Sequence, residues 1–234
     1  MRNTLAIASK EIRGYFTSPI AYVVTAVFLV VTGYFFAADL LNRQMANLRG
    51  FLSPGSFVLI LVAPLLTMRL FAEEQKMGTL ELLLTNPVRD IEVVLGKYLA
   101  SLVTLAVMLA LTLYYPILLS IFGDPDAGPI ATGYLGMFLL GAAIMAVGLL
   151  ASSVTANQIV AAVLGLGILI LLWVMGSLNM TGAVGKVLEY LSLPGHFSDF
   201  TFGVIDTRNV IYYLSVAAAF VFLTARSLEM RRWR

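Results

Sequence analysis

Arg69-Leu-Phe-Ala-Glu-Glu-Gln-Lys-Met-Gly-Thr-Leu-Glu-Leu-Leu-Leu-Thr-Asn-Pro87 is a charged island between two long apolar runs. Its reading decides the fold. Charges of both signs need water, so the runs on either side must reach the same aqueous face at this point. The chain around it is 60% hydrophobic and 12% charged, where an ordinary soluble domain carries about 25% charged residues. Mean hydropathy is +0.92. These values describe an integral membrane protein. Cysteine is absent, which excludes disulfides and thiolate metal sites. A net charge of +2 is too small to suggest a nucleic-acid partner.

Working outward, six apolar segments are predicted to span, at about 19–38, 55–70, 94–122, 130–153, 157–178 and 209–228. Each is long enough, or nearly so, to cross about 30 Å of hydrocarbon as a helix. Lipid leaves backbone polar groups unsatisfied, and these runs lack the alternation of barrel strands, so helix is the expected form. The second run is the shortest and contains Pro64. The first run is preceded by polar residues, and no small-x-small cleavage pattern follows Phe36-Ala37-Ala38-Asp39, so it reads as a retained span. The whole of 1–234 reads as a single transmembrane domain.

Lys and Arg set the orientation. With the N-terminus inside, Arg2, Lys10, Arg13, Arg69, Lys76, Arg89, Lys97, Arg226, Arg231, Arg232 and Arg234 lie inside, and Arg43, Arg49, Lys186 and Arg208 lie outside. This obeys the positive-inside rule and predicts two cytoplasmic termini.

Residues 3–16 are too polar to span. Leu5, Ile12, Tyr15 and Phe16 can share one helix side with Lys10 and Arg13 turned to headgroups, which predicts an interfacial helix; a solvated lead-in is the plainer reading. In 69–93 the pattern predicts a helix, a break at Gly78-Thr79 with Thr79 capping a second short helix, and a stop at Asn86-Pro87. Asp90 and Glu92 suit the N-terminus of the next span. A helix that merely lies on the bilayer is the competing reading. Outside, 179–208 is too apolar for a free loop and too broken for a span, which suggests a helical, re-entrant-type cap. Its His196, the chain's one histidine, reads more simply as an interfacial polar group than as a ligand. Gly141, Gly148 and Ser152 share one side of the fourth span and suit either packing within the chain or a seam between chains.

Several chemistries lack their residues. Gly96-Lys97 and Gly185-Lys186 have no glycine five positions earlier and no Ser or Thr following, so neither is a phosphate-binding loop. No metal-spaced cluster and no nucleophile elbow is visible. The middles of the six runs carry no ionisable residue, which argues against a self-powered transporter. Sodium sites built from carbonyls and hydroxyls would escape this test; a transport protein with neither a coupling group nor a nucleotide site must take its energy from another chain.

Residues 73–87, followed by Glu92-Val-Val-Leu-Gly-Lys97, resemble the first cytoplasmic loop of ABC-2 type (type V) transporter permeases, with their Glu-Glu, Gly-Thr-Leu-Glu-Leu-Leu-Leu and Gly-Lys elements. Within the family the chain looks closest to the gliding-motility-associated (GldF-like) permeases, on the strength of residues 68–74. The resemblance implies an all-α integral membrane protein with six transmembrane helices, an N-terminal interfacial helix, a cytoplasmic coupling helix and an external cap. It implies that Glu73, Glu74, Gly78, Thr79, Leu80, Glu81, Leu82 and Leu83 couple to a separate ATPase. It implies a second cytoplasmic contact at 152–158, through Ser153, Thr155 and Asn157.

The resemblance further implies a permease that is not itself an enzyme and binds no cofactor. ATP and Mg would be held by two copies of a partner ABC ATPase, and a second permease chain, identical or related, would complete an exporter in the cytoplasmic (inner) membrane. An auxiliary external partner fits the cap. Transmission of force to such a partner without substrate passage is the nearest alternative; a scaffold or enzyme with no ATPase is the more distant one. Substrate is not legible in the sequence.

Overall fold

The computed structural model describes residues 2–43, 47–80, 88–178 and 182–232. Among these residues the chain is helical throughout, with no strand. The helices are α1 (Arg2–Thr17), α2 (Pro19–Arg43), α3 (Arg49–Thr67), α4 (Arg69–Lys76), α5 (Asp90–Leu111), α6 (Tyr114–Phe122), α7 (Ala127–Val154), α8 (Gln158–Val174), α9 (Ala183–Leu191), α10 (Ser198–Thr201) and α11 (Thr207–Arg232). Among the described residues six helical stretches are long and apolar enough to cross a membrane: Pro19–Asn42, Arg49–Lys76, Asp90–Phe122, Ala127–Val154, Gln158–Ser177 and Thr207–Met230.

All six expected spans are present, and most run further than their apolar cores. The second begins at Arg49 rather than 55 and continues through α4 to Lys76. Pro54 and Gly55 read as breakers in water, yet both lie inside α3. In lipid the flanking backbone has no partner but itself, which favours continuing the helix. The third span is broken at Thr112-Leu113. Pro116 has no N–H to offer the Thr112 carbonyl four residues back, and the Tyr134 hydroxyl donates to that carbonyl at 2.9 Å.

α7 is the axle of the bundle. In its most apolar window 83% of residues are buried, against 17% for α8. α11, α3, α8, α5, α10 and α4 all pack on it. Its small residues serve this packing: a Cβ on Gly141 would meet Leu105, one on Gly148 would strike Thr67, and the Ser152 hydroxyl enters the α3–α4 junction. The stripe is thus used within the chain and not left free for a second copy.

α1 differs from its expected placement. It lies along α5 with Ala8 and Tyr15 buried and Ile7 and Ile12 packed against the core, while Leu5 and Phe16 are exposed. The four apolar residues predicted to share one side therefore divide between two. The cause is Gly96: a Cβ there would stand 2.8 Å from Ile7 Cβ and 2.9 Å from the Thr4 carbonyl oxygen, so only glycine admits the approach.

The cap is helical. Tyr212 donates to the Leu191 carbonyl at 2.7 Å and Tyr213 to that of Leu193 at 2.8 Å. Thr132 near the start of α7 donates to the Phe200 carbonyl at 2.8 Å. His196 is buried, stacks on Tyr212 with ring centres 3.8 Å apart, and places Nδ1 3.1 Å from the Ser192 carbonyl. Among the described residues no group of acids or histidines could hold a metal.

Candidate functional site: a hinged helix at the end opposite the cap

α4 carries the first half of the charged island, and its geometry begins at a break. Met68 separates α3 from α4. Ordinarily the Ala72 N–H would bond the Met68 carbonyl. Instead Ser152 Oγ accepts from Ala72 N at 3.1 Å and from Phe71 N at 2.9 Å, and donates to the Met68 carbonyl at 2.8 Å. One hydroxyl, fully buried, is spliced into the helix ladder, which is a recognised way to bend a helix without orphaning its polar groups. Gln75 adds a second tie, donating to the Ser153 carbonyl at 2.9 Å. The α3–α4 break and the end of α7, some 80 positions apart in sequence, are thus joined directly.

α4 ends at Met77 and Gly78. Gly78 has φ +69, and no atom lies within 4 Å of a Cβ built on it. It is required for the turn rather than for space, since a side chain at this φ is strained. Beyond it Thr79 donates its hydroxyl to the Glu74 carbonyl at 3.4 Å, pointing backward into α4. Its expected role as the cap of the following helix falls outside the described residues. Leu80 is buried in the core. Glu81, Leu82 and Leu83, with the Asn86-Pro87 stop, lie outside the described residues.

The two glutamates of α4 part company. Glu73 is half-buried at the rim of a cleft of about 460 Å³ that is also lined by Lys10, Glu11, Arg69 and Thr79. Glu74 is buried and engaged inside the chain: one carboxylate oxygen lies 2.9 Å from Lys97 Nζ and the other 3.3 Å from Lys10 Nζ. Lys97, whose side chain is 1% exposed, also holds Glu11 at 2.7 Å. Its ammonium lies 5.2 Å from the Phe71 ring centre. Removing a single member of such a buried set costs about 3–5 kcal/mol when it leaves a charge uncompensated. Lys10 therefore does not simply face headgroups, as its helix pattern suggested; it pairs with α4.

Tyr15 closes the same region. Its hydroxyl donates to the Leu66 carbonyl at 2.9 Å, and the Arg69 guanidinium sits 4.5 Å above its ring. Burial pushes the Tyr15 phenol well above its ordinary value, against a smaller opposing pull from Arg69.

The turn between α7 and α8 forms the other wall. Asn157 caps α8 by accepting from Ile159 N and Val160 N, and Thr155 Oγ accepts from Asn157 N at 3.2 Å. Together with Lys76 these residues line a further cavity of about 570 Å³. Ser153 turns its own hydroxyl back to Leu150 and offers α4 only its carbonyl. Sequence reasoning read this segment as a second cytoplasmic contact, Ser152 as part of a small-residue stripe and Lys97 as part of a Gly-Lys element; it did not foresee that Ser152 and Lys97 meet α4, and it did not single out Gln75 or Glu11. For Lys97 a signal existed: a lysine inside a membrane-capable helix is costly unless partnered.

No curated protein matches the chain at a significant level. The narrower resemblance to the gliding-motility-associated group gains no support. A family described as "ABC-2 family transporter protein" matches residues 5–232, nearly the whole chain. With its six membrane-capable helices, the chain belongs to the ABC-2 family of transporters and is a multi-pass membrane permease subunit of an ABC transporter.

Proposed function

We propose that this permease takes its energy from a separate ABC ATPase that grips residues 73–83, and that it works as the membrane half of an exporter. Members of the family generally work with such an ATPase, which supports the first part. The observation that carries the reading is the Ser152 hydroxyl in the break before α4. An element meant to receive force needs a pivot at one end and an input at the other. α4 has its pivot at Met68–Ala72 and a glycine-permitted turn at Gly78, where the chain leaves toward the rest of the island.

In this reading ATP and Mg reside in the ATPase, two ATPases serve two permease chains, and both termini with the α4 end are cytoplasmic in a bacterial-type inner membrane. The distribution of Lys and Arg supports that orientation. Glu73, Gly78 and Thr79 present the surface, Leu80 anchors it to the core, and the rim at Thr155 and Asn157 supplies the second contact. Glu74 acts from within the chain.

A second reading has one observation in its favour. α7 is tied to the hinge through Ser152 and to the cap through Thr132, about 30 Å apart at 1.5 Å per residue. Such a rod can carry motion to an external partner without passing a substrate.

The test is to replace Gly78 by Val and Glu81 by Lys, and to measure assembly with the ATPase and ATP turnover by the complex. Loss of either supports coupling through this segment. Full assembly and full turnover in both variants remove it. Transport by the purified complex in vesicles separates export from transmission.

A further inference from the structure

We propose that Lys97 is a positioning residue of this machine, the fixed half of an ionic clasp that parts at the Lys97–Glu74 ion pair when α4 is driven. The proposal rests on the reading of α4 as the driven element.

Four charges of alternating sign run in a chain, Glu11–Lys97–Glu74–Lys10, with contacts of 2.7, 2.9 and 3.3 Å. Three elements carry them: α1 supplies Lys10 and Glu11, α5 supplies Lys97, and α4 supplies Glu74. Where the chain opens matters, because a buried charge left alone is heavily penalised. Opening at Lys97–Glu11 strands Glu11, which has no other charged partner among the described residues. Opening at Lys97–Glu74 strands nothing. Lys97 keeps Glu11, and Glu74 keeps Lys10.

Exposure agrees with this order. The Lys97 side chain is 1% exposed and cannot follow a moving partner, whereas that of Lys10 is 69% exposed on a flexible stem and can. Packing agrees as well. α1 and α5 meet at Gly96 with no room for a methyl group, so they form a stiff pair whatever the charges do. α4 is attached at its start by the Ser152 hydroxyl, Glu74 lies beyond that pivot toward Gly78, and the Gln75 amide on the Ser153 carbonyl is a tie past Glu74 that the swing must also release. A swing about the pivot carries Glu74 off Lys97 while α1 stays on α5.

The first test is hydrogen exchange on the full chain in nanodiscs. In Glu74→Gln, exchange in 69–78 is expected to rise about tenfold while 2–17 and 90–111 stay protected. Lys97→Arg, which keeps the charge, is expected to retain protection in all three segments. No change in 69–78, or an equal rise in all three, overturns the clasp. The second test uses the ATPase complex of this cysteine-free chain, with spin labels on the pairs Met77→Cys/Leu95→Cys and Ser9→Cys/Leu95→Cys. ATP is expected to change the first distance and leave the second. Both distances constant while ATP is hydrolysed overturns the clasp. An ATPase that fails to bind the wild-type chain sinks the reading of α4 instead, and hydrogen exchange then decides the clasp by itself.

Discussion

Ser152 donates its hydroxyl to the Met68 carbonyl at 2.8 Å, which bolts the end of the most buried helix to the break between α3 and α4. The bond is part of a three-way exchange, since the same oxygen takes the amide protons of Phe71 and Ala72. Removing it leaves buried backbone donors without an acceptor.

Ser152→Ala is therefore expected to destabilise the protein by about 1–3 kcal/mol, the cost of stranding buried polar groups. The readout is the melting temperature in a fixed detergent. Ser120→Ala is the control. Ser120 is exposed and bonds only the Ile117 carbonyl within its own helix, so its loss is expected to stay within about 0.5 kcal/mol.

Gly96→Ala is expected to cost about 1–3 kcal/mol by forcing α1 away from α5. Truncating the neighbour should not rescue it. The clash is with Ile7 Cβ and the Thr4 carbonyl, both of which remain in Ile7→Ala. Melting temperatures of the single and double variants check this, and recovery in the double variant would mean that α1 has slack.

Tyr15→Phe tests alkaline behaviour. Burial raises the phenol above its ordinary value of about 10, so the neutral donor form is favoured in the fold. The stability it contributes is complete below that ordinary value and is lost as pH climbs through the raised one. The variant loses the bond to Leu66 and about 1 kcal/mol at neutral pH. Its deficit should shrink at the alkaline end of a melting series run between about pH 7 and 11. A deficit independent of pH throughout would contradict the assignment.

Orientation is open to labelling because the chain has no cysteine of its own. Met77 and Val204 are both exposed, at opposite ends of the bundle. A membrane-impermeant maleimide is expected to modify Val204→Cys in intact cells and Met77→Cys only after lysis. The reverse pattern would invert the topology.

The membrane architecture was legible because lipid allows so few alternatives. Apolar length sets the number of helices, and Lys and Arg set the expected orientation. The ends were less legible: the second span was expected to begin at about 55, and α3 already begins at Arg49. The island was recognisable from its own residues, and α4 breaks at Gly78, where the Gly-Thr pair suggested an interruption. What holds the island was not recognisable. Ser152 with Ala72, and Lys97 with Glu74 and Glu11, meet across helices far apart in sequence. Periodicity identifies a buried face, not the partner that the face meets. The division of α1 shows the same thing, since the gap at Gly96 rather than the apolar pattern decides which side turns inward.

One measurement bears most directly on the idea that force enters through α4. A photo-cross-linking amino acid at Met77, an exposed position beside the turn at Gly78, can be activated in native membranes. The expected product joins this chain to a polypeptide that binds and hydrolyses ATP, with a yield that falls in Gly78→Val. Products formed only with lipid or with another copy of this chain, in membranes where such an ATPase is present, would contradict it.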